Sequence, residues 1–554
     1  MLTVGKSYIY PNDFNFPVRT DYIILLGIAI GNDKKQIDYE NWEDKVHSCI
    51  STLHRWKFRK LSFKGKALVV NSLVISRLNY LVSILPVPDW VFSAIRKAVS
   101  EFFWSGKKPA IKYTNLLLPI EKGGLTLCDL EIRRDSFRTK LVAKLLGGKL
   151  NNKLRSLMLY FLNQYENMQL GLSIFHICCQ RKSLVGIHLF YCEMLLSWNR
   201  LSQGRFVLPH DREDILFLPI FHNPLIRDVN GDTLFNRHFI DGGIVRISDL
   251  MYEVIPNQLP AVAVHECISF CNPDNPISVE AVEDYIAIVI KALPERWITE
   301  IYSSDRVVSS QVDYDPSINF YSGGVVVNAS ELTCKRVSQL VRIRIESVPK
   351  GVTHWMTIFP NLTSYYNRWK NIYRMPKNFY DADIDFKIFH NILYTNDKLH
   401  KFGMIDSPLC SFCGRVNETI HHMLLDCSKI EALLEDLTSK LNHVININDI
   451  NQWRLAVMFG LGYNYKRNDA VLIDFVLNIY KCVVWNCRMS KVMNNYNLNI
   501  VKFFHNTMKM KLNLIFQVYR NNRRLKNFFE IFGIYGVVLS ANGNNSYTYH
   551  LDRG

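Results

Sequence analysis

Apolar positions recur at three- and four-residue steps through much of the chain, and that spacing predicts a mainly helical protein. Trp42, Val46, Cys49, Ile50, Leu53 and Trp56 lie on one stripe and define a first helix. Phe63-Lys64-Gly65-Lys66 leads into a second. Pro86 and Pro88 close it, because proline has no N–H to donate and disfavours helix at the residue before it. A third runs from Trp90 to Trp104 and stops at Ser105-Gly106. Further helices are expected over Arg133–Leu146, Ser330–Ser347, Asp383–Phe402, Ile430–Leu441 and Ala470–Phe532. Thr20–Gly31 differs: a β-branched-rich apolar run followed by Asn-Asp predicts a strand and a turn. Asn223–Leu250 and Asp305–Gly324 are rich in Gly, Asn, Asp and Ser and predict loops with short helices. The polar end, Gly543–Gly554, is expected to fray.

The chain has 554 residues, enough for three or four domains, and its 48% apolar content is that of a globular protein rather than a disordered one. Lys and Arg number 66 against 50 Asp and Glu, a formal charge of +16. That excess favours a polyanionic partner, since each cation near a phosphate releases a condensed counterion, although a solvated basic surface carries the same signature. The longest apolar stretch, Ala67–Leu85, is interrupted by Asn71, Arg77 and Asn79 and reads as a buried helix rather than a membrane span. Met1–Leu25 has no signal-peptide pattern. An intracellular chain, nuclear or cytoplasmic, is expected, with no membrane partner and no small-molecule substrate.

Thirteen cysteines are mostly scattered, as ordinary buried thiols are, but one group is not. Pro408–Cys427 reads PLCSFCGRVNETIHHMLLDC, in which Cys410 and Cys413 form a C-x2-C pair. Such a pair brings two thiolates to one ion, and a histidine and Cys427 can complete a tetrahedral shell. His421 and His422 compete for the fourth place. Three sulfurs and one nitrogen leave no open position, so one Zn2+ ion there is structural rather than catalytic. A histidine at 422 stands somewhat over one ideal turn from Cys427, and a distorted last turn is expected to close the gap. Ser411–Thr419 has little apolar content and is expected to be disordered without metal. Phe412 and Arg415 on this loop are candidates for stacking and pairing with single-stranded RNA, the alternative for Phe412 being packing on the helix below.

Several segments in order resemble LINE-type (non-LTR) retrotransposon reverse transcriptases. ILLGIAIGNDKKQIDYENWEDKV (Ile24–Val46) and LHRWKFRKLSFKGKALVVNSLVISRLNYLVSILPVPDW (Leu53–Trp90) resemble the end of the palm and the thumb of that family. FFWSGKKPAIK and LLLPIEKGGLTLCDLE, ending at Glu131, continue the likeness. LFNRHFIDGGIVRISDL (Leu234–Leu250) is a fainter anchor, and WKNIYRMP with Asp385–Cys427 is similar to the family's terminal zinc-binding region. The likeness selects His422 over His421, because the family leaves four residues between this ligand and the last cysteine.

The resemblance implies a palm-end strand remnant at 1–35, a thumb-like helical domain at 36–150, a connector of helices and loops at 151–350, a small Cys-Cys-His-Cys zinc-knuckle domain at 351–440, a helical region at 441–535 and a tail at 536–554. It implies binding of template RNA and target DNA. A thumb grips its duplex by the backbone, so Arg55, Lys57, Arg59, Lys60, Lys64 and Lys66, with His54, are the first candidates for phosphate contacts. Arg520, Arg523 and Arg524, with Lys526, are the second; a solvated helix face is the alternative for both. The family's polymerase needs an Asp-Asp pair at a palm hairpin, and this sequence contains no Asp-Asp dipeptide. Asp381, Asp383 and Asp385 alternate at a predicted helix start and are accounted for by capping and the helix dipole. No Pro-Asp follows Cys427, as a restriction-like nuclease of the family would require. The expectation is a non-catalytic nucleic-acid-binding tail. The alternatives are part of a longer active RNA-directed DNA polymerase and a retroelement-derived interaction scaffold.

Overall fold

The computed structural model describes residues 21–250, 260–273, 276–302, 317–322, 324–344, 348–360, 368–373, 378–461, 465–543 and 546–552. The architecture is mainly helical, with three short antiparallel hairpins. The chain divides into two units, each assembled from three separated stretches: Met1–Cys49, Ile75–Arg96 and Asp129–Ile345 in the first, Ile50–Val74, Lys97–Cys128 and Glu346–Gly554 in the second.

Helix α1 (Lys34–Lys57) carries the predicted stripe, with Trp42, Val46, Cys49 and Leu53 buried. Helix α2 covers Phe63–Ile84 and widens to π geometry over Val70–Ile75; α3 is Asp89–Trp104. Leu85 is extended ahead of Pro86, the break the prolines predict.

In the first unit, α4 (Leu130–Leu146) packs on α5 (Leu189–Ser202) within a core that includes Met194, Trp198 and Phe175. Several polar groups inside it are paired. Arg138 is buried, donates to the carbonyls of Val82 and Leu85 at the end of α2, and bonds Glu193 at 2.8 Å. It thereby satisfies carbonyls that a helix end leaves without intrahelical partners. The predicted strand at Thr20–Gly31 is, from Asp21 on, a hairpin of β1 (Tyr22–Leu25) and β2 (Ile28–Gly31) turning at Leu26-Gly27, both with positive φ. Ile24, Leu25 and Leu26 on it are exposed. Asp305–Gly324 was expected as loops with short helices; its described part includes β3 (Asn319–Ser322), which pairs with β4 (Val325–Asn328).

In the second unit, α6 (Phe379–Phe389) and α7 (Asn396–Lys401) replace the single helix expected over Asp383–Phe402; Asn391, with φ 53°, turns the chain between them. Then come α8 (Ile450–Phe459), α9 (Arg467–Asn494), α10 (Ile500–Asn521) and α11 (Leu525–Phe532). The stretch expected to be helical over Ala470–Phe532 is broken at Asn495 and Arg523, both left-handed. The C-terminal end, expected to fray, pairs β5 (Leu539–Ala541) with β6 (Tyr547–Tyr549) and buries Leu551.

Two helices, α2 and α9, have the length and hydropathy of a membrane span. In α9, 89% of that apolar window is inside the fold, and the helix bears buried, bonded Asp474, Lys481 and Arg488. For α2 the corresponding share is 44%.

The alternating aspartates do more than cap. Asn378 caps α6, accepting from the Asp381 N–H at 2.8 Å. Asp385 is buried and meets Lys481 of α9 at 2.6 Å and Asn478 at 2.9 Å. Asp381 pairs with Lys511 of α10. Asp383 accepts the Phe63 N–H at 3.0 Å and so satisfies the first donor of α2 from a distant segment. Burial pushes its carboxyl up to about 6, against the pull of that N–H and of Lys387 and Lys66. Asp381 and Asp385, four residues apart, share one side of α6 and meet α10 and α9, whereas Asp383, two residues from each, points almost oppositely and meets the start of α2.

Candidate metal centre and basic surfaces

Cys410 and Cys413 sit on a turn closed by the Gly414 N–H donating to the Cys410 carbonyl at 2.8 Å. Gly414 has φ 65°, which a side chain would strain. The Cys410 N–H bonds Val416 at 2.7 Å, doubling the loop back on itself. His422–Asp426 forms a π-helical turn, and Cys427 leaves it extended, with ψ 119°. This is the distortion the spacing called for: the wider turn and extended exit bring a histidine and a cysteine five residues apart to one point.

The Cys410, Cys413, His422 and Cys427 ligand atoms all lie within 4.8 Å of one another. Cys410 Sγ and Cys427 Sγ are 3.8 Å apart, and Cys413 Sγ and His422 Nε2 are 3.4 Å apart. A tetrahedral ion with ordinary zinc–sulfur and zinc–nitrogen bonds has edges of about 3.8 and 3.6 Å, so the donor set fits one. Burial pushes the Cys410 thiol up to about 12.

His421 is committed elsewhere. Its Nδ1 is 2.9 Å from Asp426, and its Nε2 accepts from Arg454 at 2.8 Å. Arg454 also meets Asp426 at 2.8 Å. Burial alone would raise the Asp426 carboxyl, but His421 and Arg454 bring it down to about 2. The adjacent histidines therefore have separate structural duties.

The sequence did not point to the group that holds the loop. Glu418 is fully buried, and its two oxygens take four donors. Oε1 accepts from Arg488 Nε and from the Asn396 N–H, both at 3.0 Å; Oε2 accepts from the Ser411 N–H at 2.8 Å and from the Ser411 hydroxyl. Arg488 also donates to Asn396 Oδ1 at 2.7 Å. The signal available in sequence was an arginine directly after a mostly apolar run, Ala470–Cys487, whose only charges are Asp474 and Lys481.

The predicted contact residues fall into different settings. Phe412 is half-buried and makes no ring contact among the described residues, while Arg415 is exposed. Arg55, Lys57, Arg59 and Lys60, with His54, are exposed together at the end of α1, where Arg59 lies 4.6 Å over the Trp56 ring. Lys57, Arg59 and Lys60 make no ion pair among the described residues. Lys64 is half-buried over the Tyr373 ring, and Lys66 turns inward, donating to the Phe103 carbonyl at 2.7 Å. Lys66 thus has a bond inside the fold in place of an outward position. Arg520, Arg523 and Arg524 are exposed at the end of α10 and just beyond.

Residues 354–433, which include the whole Cys3His cluster, match the family described as zinc-binding in reverse transcriptase. Over 437 residues the chain is 23% identical to "Transposon TX1 uncharacterized 149 kDa protein" of Xenopus laevis, a match covering 74% of this chain and 33% of that protein. The chain carries a C-terminal region of the non-LTR retrotransposon reverse-transcriptase type. It spans about a third of the length of the relative it matches. In this reverse-transcriptase region, the Cys3His cluster and the Glu418–Arg488 pair meet on one loop, so the cluster is anchored from two sides.

Proposed function

We propose that this chain is a nucleic-acid-binding tail of a retrotransposon reverse transcriptase, holding template RNA or a primer–template duplex by its backbone. One structural Zn2+ on Cys410, Cys413, His422 and Cys427 fixes the loop between α7 and the π turn, and the ligands leave no position for a substrate. The observation that carries the proposal is the exposed run Arg55, Lys57, Arg59 and Lys60 at the end of α1 in a chain of this family. A helix end rich in cations also complements its own dipole, so the cluster is stable before any partner arrives. Nothing in it reads bases, and sequence preference is expected to be slight.

The test is fluorescence anisotropy with an RNA–DNA duplex across a potassium chloride series. Each phosphate contact contributes about one unit of log–log slope, so the triple variant Lys57→Glu, Arg59→Glu, Lys60→Glu should flatten the slope by about three. An affinity indifferent to salt, or a triple variant that binds like the native chain, would remove the proposal.

A second reading is favoured by the chain's coverage of only a third of its relative. In it a longer protein supplies the polymerase aspartates, and this region holds the duplex for them. Residues of this chain alone then perform no polymerisation, and adding deoxynucleotides to the bound duplex should leave the primer unextended.

A further inference from the structure

Helix α10 has two apolar ridges. The inner one, Phe504, Met508, Leu512 and Phe516, is buried. The outer one, Met510, Leu514 and Val518, is 56%, 61% and 56% exposed. Two residues along a helix is a rotation of about 200°, so the outer ridge points almost directly away from the core. Half-buried Ile500 and Phe503 extend it toward the helix start. Ile500, Phe503, Thr507, Met510, Leu514 and Val518 succeed one another at steps of three or four, the spacing of a seam that receives a second helix. Scattered exposed apolar residues need no explanation, but a ridge several turns long opposite a helix's own core does.

The charge around the ridge is one-sided. No acidic residue occurs between Ile500 and Lys526. Lys509 pairs with Asp552 and Lys511 with Asp381, whereas Lys502, Arg520, Arg523, Arg524 and Lys526 are exposed. A second copy of α10 would bring the same cations against them. A phosphate backbone would use the cations but has no apolar counterpart for Met510, Leu514 and Val518. A lipid surface is met by a broad apolar face, and this ridge is one side chain wide.

We propose that the outer face of α10 docks an acidic amphipathic helix of a partner protein, its apolar seam on the Met510–Leu514–Val518 ridge and its carboxylates on Arg523 and Arg524, which follow the end of α10. The proposal assigns Arg523 and Arg524 to a protein partner, and it is independent of the duplex grip at the end of α1.

The probe is a fluorescein-labelled helical peptide of about three heptads, with leucine at the seam positions and glutamate beside them; its lysine counterpart is the control. Polyuridylate and phosphatidylserine vesicles are run in parallel. The acidic peptide is expected to bind the full chain, at least about tenfold more tightly than the lysine peptide. Leu514→Ser, an uncharged change at an exposed position, should weaken it about tenfold, and Arg523→Glu with Arg524→Glu should weaken it further. Native zinc content and helical circular dichroism in the variants establish that they fold. Equal affinity for both peptides, or a Leu514→Ser variant that binds like the native chain, overturns the proposal. So does polyuridylate or vesicle binding that Leu514→Ser reduces while the acidic peptide fails to bind.

Discussion

Serine in place of Cys427 is expected to strip the chain of zinc. Cys427 is fully buried at the exit of the π turn, 3.8 Å from Cys410, and a hydroxyl there offers no thiolate. The native chain should keep about one zinc per molecule through dialysis against a chelator, and Cys427→Ser should keep almost none, because a closed four-ligand shell loses its tetrahedral geometry with any one member. The structural consequence is narrower than loop composition alone suggests. The amides of Cys410 and Gly414 bond only within the knuckle turn, so they should lose protection from hydrogen exchange. The amides of Ser411 and Asn396 donate to Glu418, which Arg488 holds from α9, and should stay protected. His421→Ala is the control: His421 bonds Asp426 and Arg454 rather than the cluster, and zinc content should be native. Zinc retained by Cys427→Ser at the native level would remove the metal centre as drawn here. Loss of protection throughout the loop would show that Glu418 does not hold it without the ion.

Much of this centre was legible in the chain because its parts are local. Cysteines two residues apart and a histidine and cysteine five apart are readable by eye, and the family likeness chose between the two histidines. What the residues did not disclose was how the helix would accommodate the spacing; the π turn at His422–Asp426 is the answer. The helices of the first 150 residues were legible for the same reason, since each buries a stripe that recurs along its own segment. Asp381, Asp383 and Asp385 mark the limit. Their local pattern fits a helix start, and Asn378 already caps it. Their partners, Lys511, Phe63 and Lys481, lie 130, 320 and 96 residues away in sequence, and no local spacing encodes contacts at such range. The breaks at Asn495 and Arg523 were hidden as well, because neither residue forbids helix and both become left-handed only where the chain must reverse.

Arg488→Met is expected to be the most destabilising single change in the second unit. The substitution preserves much of the side chain's apolar length but leaves the Glu418 carboxylate without its cation in a place no water reaches. Removing one partner of a buried pair typically costs about 3–5 kcal/mol, far more than the pair's net worth against a neutral substitute. Glu418→Gln is the informative companion. A glutamine has one acceptor oxygen, so it can keep the Ser411 amide or the Asn396 amide, which meet different carboxylate oxygens, and the loop stays tied at one of them, while Arg488 loses its charge partner and keeps Asn396 Oδ1. The double variant should therefore be more stable than Arg488→Met alone, because the unpaired carboxylate is gone. Urea titrations followed by tryptophan fluorescence and by zinc release to a chromophoric chelator would measure all four corners. Fluorescence and zinc release should shift together, since Glu418 joins the metal loop to α9. A loss below about 1 kcal/mol in Arg488→Met would mean that water reaches the carboxylate and that the pair is a surface ion pair in effect. Buried pairing also shapes α9 itself. A helix with the hydropathy of a membrane span lies here largely inside the fold, and its buried charges, Asp474, Lys481 and Arg488, sit where the Leu461 amide, Asp385 and Glu418 meet them. Those pairings fix its rotation and register against α6 and the knuckle more narrowly than its many interchangeable apolar contacts could.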